Sequence, residues 1–445
     1  MESGLIAVDR WAAGCQAYFL THLHADHTVG LSSSWARGLL FCSRITAKLF
    51  PFKFPKFRLS LLRILDVGSW NSLSLRSPSS ASETTVQVMA IDAHHCPVFD
   101  NFLGAVMYLF RGEFGCMLYT GDFRWETTNG RAKTGRTMLL NALEGDAVDT
   151  LYLDNTFCNP SFSFPSREVA AQQVVDIIAS HPEHEIIIGI DSLGKEELLL
   201  HISRTLKIKI WVWPERLQTL HLLGFQEVFT TNTSLTRVRA VPRYSFSIDT
   251  LEGLNTMRPT IGIMPSGLPW TVKSTERNGK LFCSLSVSSQ ERNKGCTNGG
   301  IQNDNNRPNG NLRSMERFHQ YIYSVPYSDH SCYSEIKDFI KLVQPTNMKG
   351  IVSSSFCYAD PFYYFGHLCG TKQPSQRFLQ KLGKNGEVEG VEGVRSKFAL
   401  ANEDFGKLRR KREMIRKIDY LGVRASRVTV LRRVRHGAKI SESES

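Results

Sequence analysis

Four side chains of metal-binding types lie within six consecutive positions: His22, His24, Asp26 and His27. They follow the apolar run 16–21, which predicts a buried strand, and precede residues 28–32, which predict the start of a short helix. Side chains two positions apart on a strand point to the same side, so His22 and His24 face one centre. Asp26 and His27 follow at a turn and can face a second centre nearby. This arrangement predicts a site for two metal ions.

Other predicted strands also end just before a histidine or an aspartate. The residues in question are Asp9, His95, Asp122, Asp154 and His330. Side chains that follow strand ends gather at one edge of a sheet, where ligand sites of layered α/β folds commonly lie. Taken alone, Asp9 is explained equally well as a solvated turn residue, and His95 as a core histidine.

The middle of the chain, from about residue 166 to 264, alternates between helical and strand patterns and so predicts βαβ units with a small parallel sheet. The turn 191–196 lies between a strand and a helix, where its amides and Lys195 could hold a phosphate. It lacks the spacing of a P-loop, and a plain N-capping turn is the competing explanation. Residues 51–85 are predicted to be largely irregular, with a flexible loop at 77–85, and 271–313 to be a disordered loop.

The basic character of the chain is concentrated near its end. The 445 residues carry a formal net charge of +12, and residues 395–439 hold 15 lysines and arginines against four acidic residues. This tail predicts nucleic-acid binding or nuclear import, and a merely solvated tail is the alternative. The predicted import signal consists of Lys407, Arg409, Arg410, Lys411 and Arg412.

The length allows two or three domains, or one domain with a large insertion. The ten cysteines contain no CxxC pair, which favours reduced thiols over a zinc finger or a disulfide framework. We find no apolar run that could cross a bilayer and no signal-peptide pattern, so the expectation is an intracellular protein without a membrane partner.

Several ordered motifs resemble those of the β-CASP nucleases, which have the metallo-β-lactamase fold. These are HLHADH at 22–27, His95, TGD ending at Asp122, and PYSDHS at 326–331. YLDNT at 152–156, SLGKE at 192–196 and PYSDHSCYSE at 326–335 resemble the DNA-directed branch of this family. The resemblance covers about residues 5–365 and does not extend to the basic tail.

The resemblance implies an α/β architecture in three parts. Residues 1–160 and 318–370 would form a four-layered αββα metallo-β-lactamase fold. Residues 161–317 would form an inserted β-CASP domain of βαβ units. Residues 374–445 would form a disordered basic C-terminal tail.

Roles for individual residues follow from the same resemblance. One metal ion would be bound by His22, His24 and His95. A second would be bound by Asp26, His27 and His330. Asp122 would bridge both ions, Asp9 would orient a ligand histidine, and Asp154 would support the site. Ser328, with Lys195, would hold a terminal 5′-phosphate. The predicted catalytic residues are Asp9, Asp26, Asp122, Asp154 and His330.

The implied activity is that of a nuclear 5′-to-3′ DNA exonuclease. Its cofactor would be zinc, as one or two ions, with a second site able to accept another divalent metal. Metal-activated hydroxide would hydrolyse phosphodiesters of 5′-phosphorylated DNA that is single-stranded or has an end. The expected biological roles are interstrand cross-link repair and the processing of double-strand breaks or telomeric ends. Protein partners are not indicated.

The sequence departs from the family pattern in one place. The family histidine is followed by Cys-Pro-Gly-Ser/Ala-Val-Met, whereas here residues 98–103 separate Cys96-Pro97 from Gly104-Ala-Val-Met107. The six extra residues either displace His95, loop away from the site, or result from how the coding sequence was joined. Our hypothesis is that deleting them preserves or raises activity.

Three other functions are compatible with parts of the pattern. A β-CASP endonuclease acting on RNA would use the same chemistry. A small-molecule thioester or lactam hydrolase would share the fold, although the large βαβ insertion and the late His330 argue against it. A non-catalytic scaffold for DNA ends would bind DNA under chelation without cleaving it.

Overall fold

The computed structural model describes residues 5–370 apart from positions 79, 97, 100–101, 127–128, 226, 268–316 and 353–359. Contacts divide the chain into two units, Met1–Ser375 and Gln376–Ser445. All the elements described below belong to the first unit. The predicted loop 271–313, the tail 374–445 and the basic signal at 407–412 lie outside the described residues.

The described residues form nineteen strands and eight α-helices. The strands are β1 (Ile6–Val8), β2 (Ala17–Phe19), β3 (Leu39–Ser43), β4 (Leu62–Leu65), β5 (Trp70–Arg76), β6 (Glu83–Asp92), β7 (Val98–Phe99), β8 (Phe102–Leu103), β9 (Val106–Gly112), β10 (Gly115–Tyr119), β11 (Thr150–Leu153), β12 (Glu185–Ile190), β13 (Ile210–Trp211), β14 (Phe229–Thr230), β15 (Val238–Pro242), β16 (Thr260–Pro265), β17 (Arg317–His319), β18 (Ile322–Val325) and β19 (Asn347–Gly350). The helices are α1 (Arg44–Lys53), α2 (Gly130–Leu143), α3 (Arg167–Ala179), α4 (Glu196–Leu206), α5 (Pro214–Leu222), α6 (Ile248–Asn255), α7 (Tyr333–Val343) and α8 (Pro361–Phe365).

Three of the sheets carry the architecture. A four-stranded parallel sheet has the order β1-β2-β3-β4, and a six-stranded mixed sheet has the order β19-β11-β10-β9-β6-β5. A seven-stranded sheet has the order β14-β13-β15-β12-β16-β18-β17, in which only β17 is antiparallel. Strands β7 and β8 form a separate hairpin.

The first two sheets pack against each other, and helices cover their outer faces. Side chains on β9 alternate between the two sides, as the strand period of two requires. Val106 and Tyr108 join the core between the sheets, whereas Met107 and Leu109 pack in the core with α2 and α7. Helix α1 packs on the outer face of the four-stranded sheet. This order of helix, sheet, sheet and helix is consistent with a metallo-β-lactamase fold.

The seven-stranded sheet confirms the predicted βαβ pattern in the middle of the chain. Its central strand β12 is buried along most of its length, and helices α3 and α4 contribute to the same apolar core. The sheet continues through Val325, because β18 pairs with β16. It therefore extends beyond position 317, where the inserted domain was predicted to end. The assignment of this sheet to a β-CASP domain stays a prediction.

Parallel pairing brings the polar strand ends to one edge. Tyr119 at the end of β10 pairs with Tyr152 on β11, so the two strands end side by side. The Thr120 hydroxyl accepts a hydrogen bond from the Asp154 amide at 2.9 Å, which ties the two exits together. Asp122 and Asp154 consequently leave the sheet at the same edge.

Three local predictions are wrong. Residues 51–85 are not largely irregular, because they contain the end of α1, strands β4 and β5 and the start of β6. A 3-10 turn at Asp26–Thr28 replaces the helix predicted from residue 28 onward. The single strand predicted over 318–325 is a hairpin of β17 and β18.

Candidate metal centre

Five histidine rings from three distant parts of the chain lie next to one another. They belong to His22, His24, His27, His95 and His330. Neighbouring ring centroids are 4.3–5.1 Å apart. The first three rings follow β2, the fourth follows β6 and the fifth follows β18. The strand ends thus bring together the histidines that the sequence motifs singled out.

Asp122 lies among these rings, with one of its two carboxylate oxygens near each of four of them. The distances are 3.1 Å to His27 Nε2, 3.5 Å to His22 Nε2, 3.6 Å to His95 Nε2 and 3.9 Å to His330 Nε2. Its position between the histidines of both predicted ligand sets is the one that a bridging carboxylate requires. We refer to Asp122 and the five histidines as the candidate centre.

Gly121 allows Asp122 to approach so closely. Its φ angle is +55°, and a Cβ atom added there would lie 2.8 Å from Thr21 Cγ2. A side chain would therefore collide with the residue that precedes His22. Glycine removes both the steric clash and the backbone strain.

The donor atoms fit a divalent metal ion. His22 Nε2 is buried and has no hydrogen-bond partner among the described residues, although buried polar atoms are normally paired. Three overlapping groups have ligand atoms within 4.8 Å of one another: His22, His24, His95 and Cys96; His22, His27 and Asp122; His95, Asp122 and His330. Imidazole and carboxylate ligands suit zinc and related metals, and zinc itself stays a prediction.

Two carboxylates outside the cluster hold the outer nitrogens of two histidines. Asp9 Oδ2 lies 2.7 Å from His27 Nδ1 and also accepts a 2.7 Å hydrogen bond from the Thr21 hydroxyl. Asp154 Oδ2 lies 2.8 Å from His330 Nδ1. Such partners fix the ring orientation and tautomer of a metal ligand. Both aspartates thus lie where the predicted supporting roles require them.

Two backbone carbonyls hold the other histidines. His95 Nδ1 lies 2.8 Å from the Asp329 carbonyl oxygen, and His24 Nε2 lies 3.3 Å from that of Leu193. The Leu193 carbonyl belongs to the turn between β12 and α4. The turn that follows the central strand of the seven-stranded sheet therefore contacts the candidate centre directly through a backbone atom.

Burial and neighbouring charges drive the pKa values of these groups apart. Burial lowers the pKa of His95 to about 3, and it lowers the pKa of His22 well below its usual range. For His27, burial is outweighed by Asp122 and Asp9, which raise the pKa to about 12. For His330, Asp154 and Asp122 outweigh burial and raise the pKa to about 9. Burial alone would raise the pKa of Asp122, but His27 and His330 hold it well below its usual range.

Asp26 differs from the other predicted ligands in being largely exposed. Its side chain is 76% exposed, and its nearest approach is a 3.6 Å separation between Oδ2 and His27 Nε2. It belongs to none of the three converging groups among the described residues. Its role as a ligand stays a prediction.

The two residues predicted to hold phosphate are both beside the centre. The Ser328 hydroxyl accepts a hydrogen bond from the His330 amide at 3.1 Å and is buried. Lys195 Nζ lies 3.3 Å from Asp329 Oδ2. A Cβ atom added at the neighbouring Gly194 would lie 3.7 Å from His24 Nε2, so this turn lies against the candidate centre.

Sequence reasoning missed three contacts at the site. Cys96 Sγ lies 3.3 Å from His24 Nε2, and its only signal was its place after His95. The Asp329 side chain approaches Lys195, and its only signal was its place within PYSDHS. The contact of the Leu193 carbonyl could not be found from the sequence, because every residue carries a backbone carbonyl.

The six extra residues 98–103 leave His95 within the cluster. Strands β7 and β8 pair with each other, and the Ala105 amide donates a 2.7 Å hydrogen bond to the Cys96 carbonyl beneath them. His95 Nε2 remains 3.6 Å from Asp122 Oδ2. Of the structural alternatives, a displacement of His95 out of the cluster is therefore not the one observed.

Comparison with known proteins supports the family resemblance. A model of the DNA repair metallo-beta-lactamase family matches residues 224–355. The chain is 38% identical over 358 residues to the 5′ exonuclease Apollo of Gallus gallus, covering 80% of this chain and 63% of that protein. It is 36% identical over 356 residues to the Apollo of Mus musculus, covering 79% and 54% of the two chains. The DNA cross-link repair protein SNM1 of Arabidopsis thaliana is 31% identical over 344 residues, covering 75% and 60%.

The chain is therefore similar in sequence to DNA-repair metallo-β-lactamases. It spans between half and two thirds of the length of these three relatives. The family match includes Ser328 and His330, which ties the late histidine of the candidate centre to the DNA-repair metallo-β-lactamases. No helix in the described part of the chain is long and apolar enough to cross a membrane.

Proposed function

We propose that the protein is a metal-dependent nuclease that removes nucleotides from the 5′ end of DNA. The observation that carries this proposal is the convergence of five histidines on Asp122, in a chain that resembles proteins named 5′ exonuclease Apollo. We further propose that it acts in the nucleus, in interstrand cross-link repair and in the processing of breaks or telomeric ends. Zinc is the proposed metal.

The residues of the candidate centre would hold one or two ions. His22, His24 and His95 would hold the first, and His27 and His330 the second, with Asp122 shared. A divalent ion bound there would lower the pKa of water and offset negative charge on the oxygens of a phosphodiester. Asp26, which the resemblance places in the second set, has less support as a ligand than the other residues, because its side chain is largely exposed to solvent.

The surrounding residues would keep the histidines in working geometry. Asp9 and Asp154 orient His27 and His330 through short contacts, which reduces the motion of each ring. Burial of the His22 and His95 rings keeps them neutral, the form that binds metal. Because the attacking group would be a metal-activated water, the proposed reaction needs no side-chain nucleophile.

Cleavage would be confined to the 5′ end of the DNA if a site for the terminal phosphate lay at a fixed distance from the candidate centre. Lys195 provides a cationic group in the turn that contacts His24 through Leu193. Ser328 provides a hydroxyl two residues before His330. A terminal phosphate held there would place the first phosphodiester linkages, and no internal ones, at the candidate centre.

The proposal is tested by measuring metal content and DNA digestion on the full-length protein, for wild type, His330→Ala and His221→Ala. His221 is an exposed histidine on α5 outside the candidate centre and serves as the matched control. The substrate is single-stranded DNA with a 3′ label and a 5′-phosphate, run beside RNA of the same sequence.

We expect wild type and His221→Ala to shorten the DNA from its 5′ end and to stop when the metal is chelated. His330→Ala should lose bound metal and lower the rate by more than about 100-fold, since outer partners of metal ligands alone already cost about 10- to 100-fold. Preferential cleavage of RNA would favour the RNA endonuclease. DNA binding without cleavage under any metal would favour the scaffold, and full activity of His330→Ala would remove His330 from the centre.

A further inference from the structure

A small polar cavity lies beside the candidate centre, between the seven-stranded sheet and the histidines. Its lining includes the cations Arg167 and Lys195, the carboxylates Glu196, Glu197 and Asp329, and the His95 ring, and its volume is about 10 Å³. A cavity of roughly this size holds a single water molecule. A phosphate group is several times larger than water and does not fit while the lining side chains stay in place.

Asp329 occupies the space between the two cations of this cavity. Its Oδ2 atom lies 3.3 Å from Lys195 Nζ, and its Oδ1 atom lies 4.0 Å from Arg167 Nη1. The side chain is 9% exposed. Its carboxylate therefore stands where an anionic ligand of Lys195 would have to bind.

The backbone of Asp329 has a separate task. Its carbonyl oxygen accepts from His95 Nδ1 at 2.8 Å, and the next residue is His330. Rotation of the side chain about its own bonds leaves this carbonyl in place. The carboxylate can thus move out of the cavity without releasing the histidine ring.

We propose that Asp329 is a resident anion that fills the 5′-phosphate site and that a terminal phosphate must displace in order to bind there. This inference rests on the proposed function of Lys195 as a phosphate ligand. A terminal phosphate carries up to two negative charges and can replace the carboxylate on Lys195. A 5′-hydroxyl end carries no charge with which to replace it, so the carboxylate stays and such an end binds without using this site.

Asp329→Asn tests this directly, because the amide has nearly the same shape without the charge. Binding is measured by fluorescence anisotropy on the full-length protein in the presence of chelator, with 3′-labelled single-stranded DNA bearing either a 5′-phosphate or a 5′-hydroxyl. We expect Asp329→Asn to tighten binding of the phosphorylated DNA by about tenfold, as expected when a charged hydrogen-bonding competitor is removed. Binding of the hydroxyl-ended DNA should stay within about twofold. Inorganic phosphate should compete at lower concentration with the variant than with wild type.

Two further variants make the result specific. Asp191→Asn removes another carboxylate near Lys195, 3.8 Å from Nζ but 47% exposed and outside the cavity, and should change neither affinity appreciably. In a Lys195→Ala background, Asp329→Asn should lose most of its effect, because the two groups act on the same ligand.

The opposite direction would overturn the inference. If Asp329 merely braces Lys195, Asp329→Asn will weaken binding of phosphorylated DNA, and if it acts only through net charge, both ends will bind more tightly by the same factor. Thermal unfolding of each variant identifies any loss of folding. If wild type itself does not distinguish the two ends, the phosphate site and this inference both fail. If wild type distinguishes them and Asp329→Asn shows no gain, only this inference fails.

Discussion

The histidines on the two sides of Asp122 differ in what holds their outer ring nitrogens. On one side, His24 and His95 face the backbone carbonyls of Leu193 and Asp329. On the other, His27 and His330 face the carboxylates of Asp9 and Asp154. Neutral partners hold the first pair, and negatively charged partners hold the second.

This difference sets the protonation of the histidines before any metal binds. Burial without a charged outer partner lowers the pKa of His95 to about 3, so its ring is neutral and ready to bind metal at neutral pH. The carboxylates raise the pKa of His27 to about 12 and that of His330 to about 9, so both rings are protonated. Metal binding on the second side must therefore release protons, and its affinity should rise with pH.

The largest effect should come from the residue that both sides share. Asp122→Asn keeps the shape of Asp122 but removes the charge that lies near four of the histidines. We expect the metal content to fall and DNA cleavage to drop by more than about 1000-fold, because the loss affects both sides and each supporting contact is worth about 10- to 100-fold. The measurement is metal content together with single-turnover digestion of 5′-phosphorylated DNA.

Asp338→Asn, on the exposed surface of α7, is the matched control for Asp122→Asn and should behave like wild type. Circular dichroism and thermal unfolding establish that Asp122→Asn is folded. Cleavage within tenfold of wild type in a folded Asp122→Asn protein would show that the two sides work without a shared carboxylate.

A smaller effect should separate the two sides. Asp154→Asn should weaken metal binding by about 10- to 100-fold, since it removes the charged partner of the outer nitrogen of His330, and Asp9→Asn should do the same through His27. The sign of the pH dependence follows from the raised pKa of His330. Below about pH 9 a proton competes with metal for this ring in wild type, so affinity increases as pH rises.

In Asp154→Asn the ring loses its proton at a lower pH, so the affinity should depend less steeply on pH than in wild type. The measurement is a metal titration by calorimetry at several pH values in buffers of different ionisation enthalpy, which also counts the protons released. An unchanged pH profile in Asp154→Asn would show that His330 does not titrate with metal binding.

Most residues of the candidate centre were predictable because their side chains carry the chemistry and follow apolar strand patterns. His95 and Asp122 each follow a predicted strand that the structure contains, and His330 follows β18, the second strand of the hairpin found where one strand was predicted. The outer partners of His24 and His95 could not be predicted, because they are backbone carbonyls 169 and 234 residues away in the sequence, and a carbonyl leaves no side-chain pattern. Only the folded chain shows which carbonyl meets which ring.

The role of Asp26 as a ligand stays a prediction, because its neighbour His27 is directed differently. Proximity in sequence to His27 suggested a shared centre, but both residues lie in the 3-10 turn Asp26–Thr28. Consecutive side chains in such a turn point about 120° apart. With His27 directed to Asp122, the Asp26 side chain is turned largely to solvent.

Local sequence patterns were also misleading for two parts of the fold, helix α1 and the pair of strands β5 and β6. Helix α1 contains Pro51, a residue that normally interrupts helices, so the sequence around it favoured irregular structure. Strand β5 pairs along its whole length with residues 83–89 of β6, although Ser72, Ser74 and the serines at 77–82 suggested a loop. Pairing between strands, which is not a local property, decided this region.

The smallest effect should come from removing residues 98–103, on the side of His95. The Cys96 carbonyl accepts from the Ala105 amide at 2.7 Å, so the ends of the extra segment already meet. Deletion would give the sequence Cys-Pro-Gly-Ala, with this same hydrogen bond joining the first and fourth residues of a β-turn. Proline and glycine at the two central positions are the residues that a type II turn prefers.

We therefore expect the deletion to keep metal content and DNA cleavage within about threefold of wild type, or to raise cleavage, since a type II turn preserves the backbone on both sides of His95. A variant in which 98–103 are replaced by six glycine and serine residues separates the effect of length from that of the side chains. If the deletion abolishes cleavage but the replacement does not, the segment is needed as a spacer. If both abolish cleavage, its side chains contribute to the site, and the carbonyl-held side of the centre depends on more than the Asp329 carbonyl to position His95.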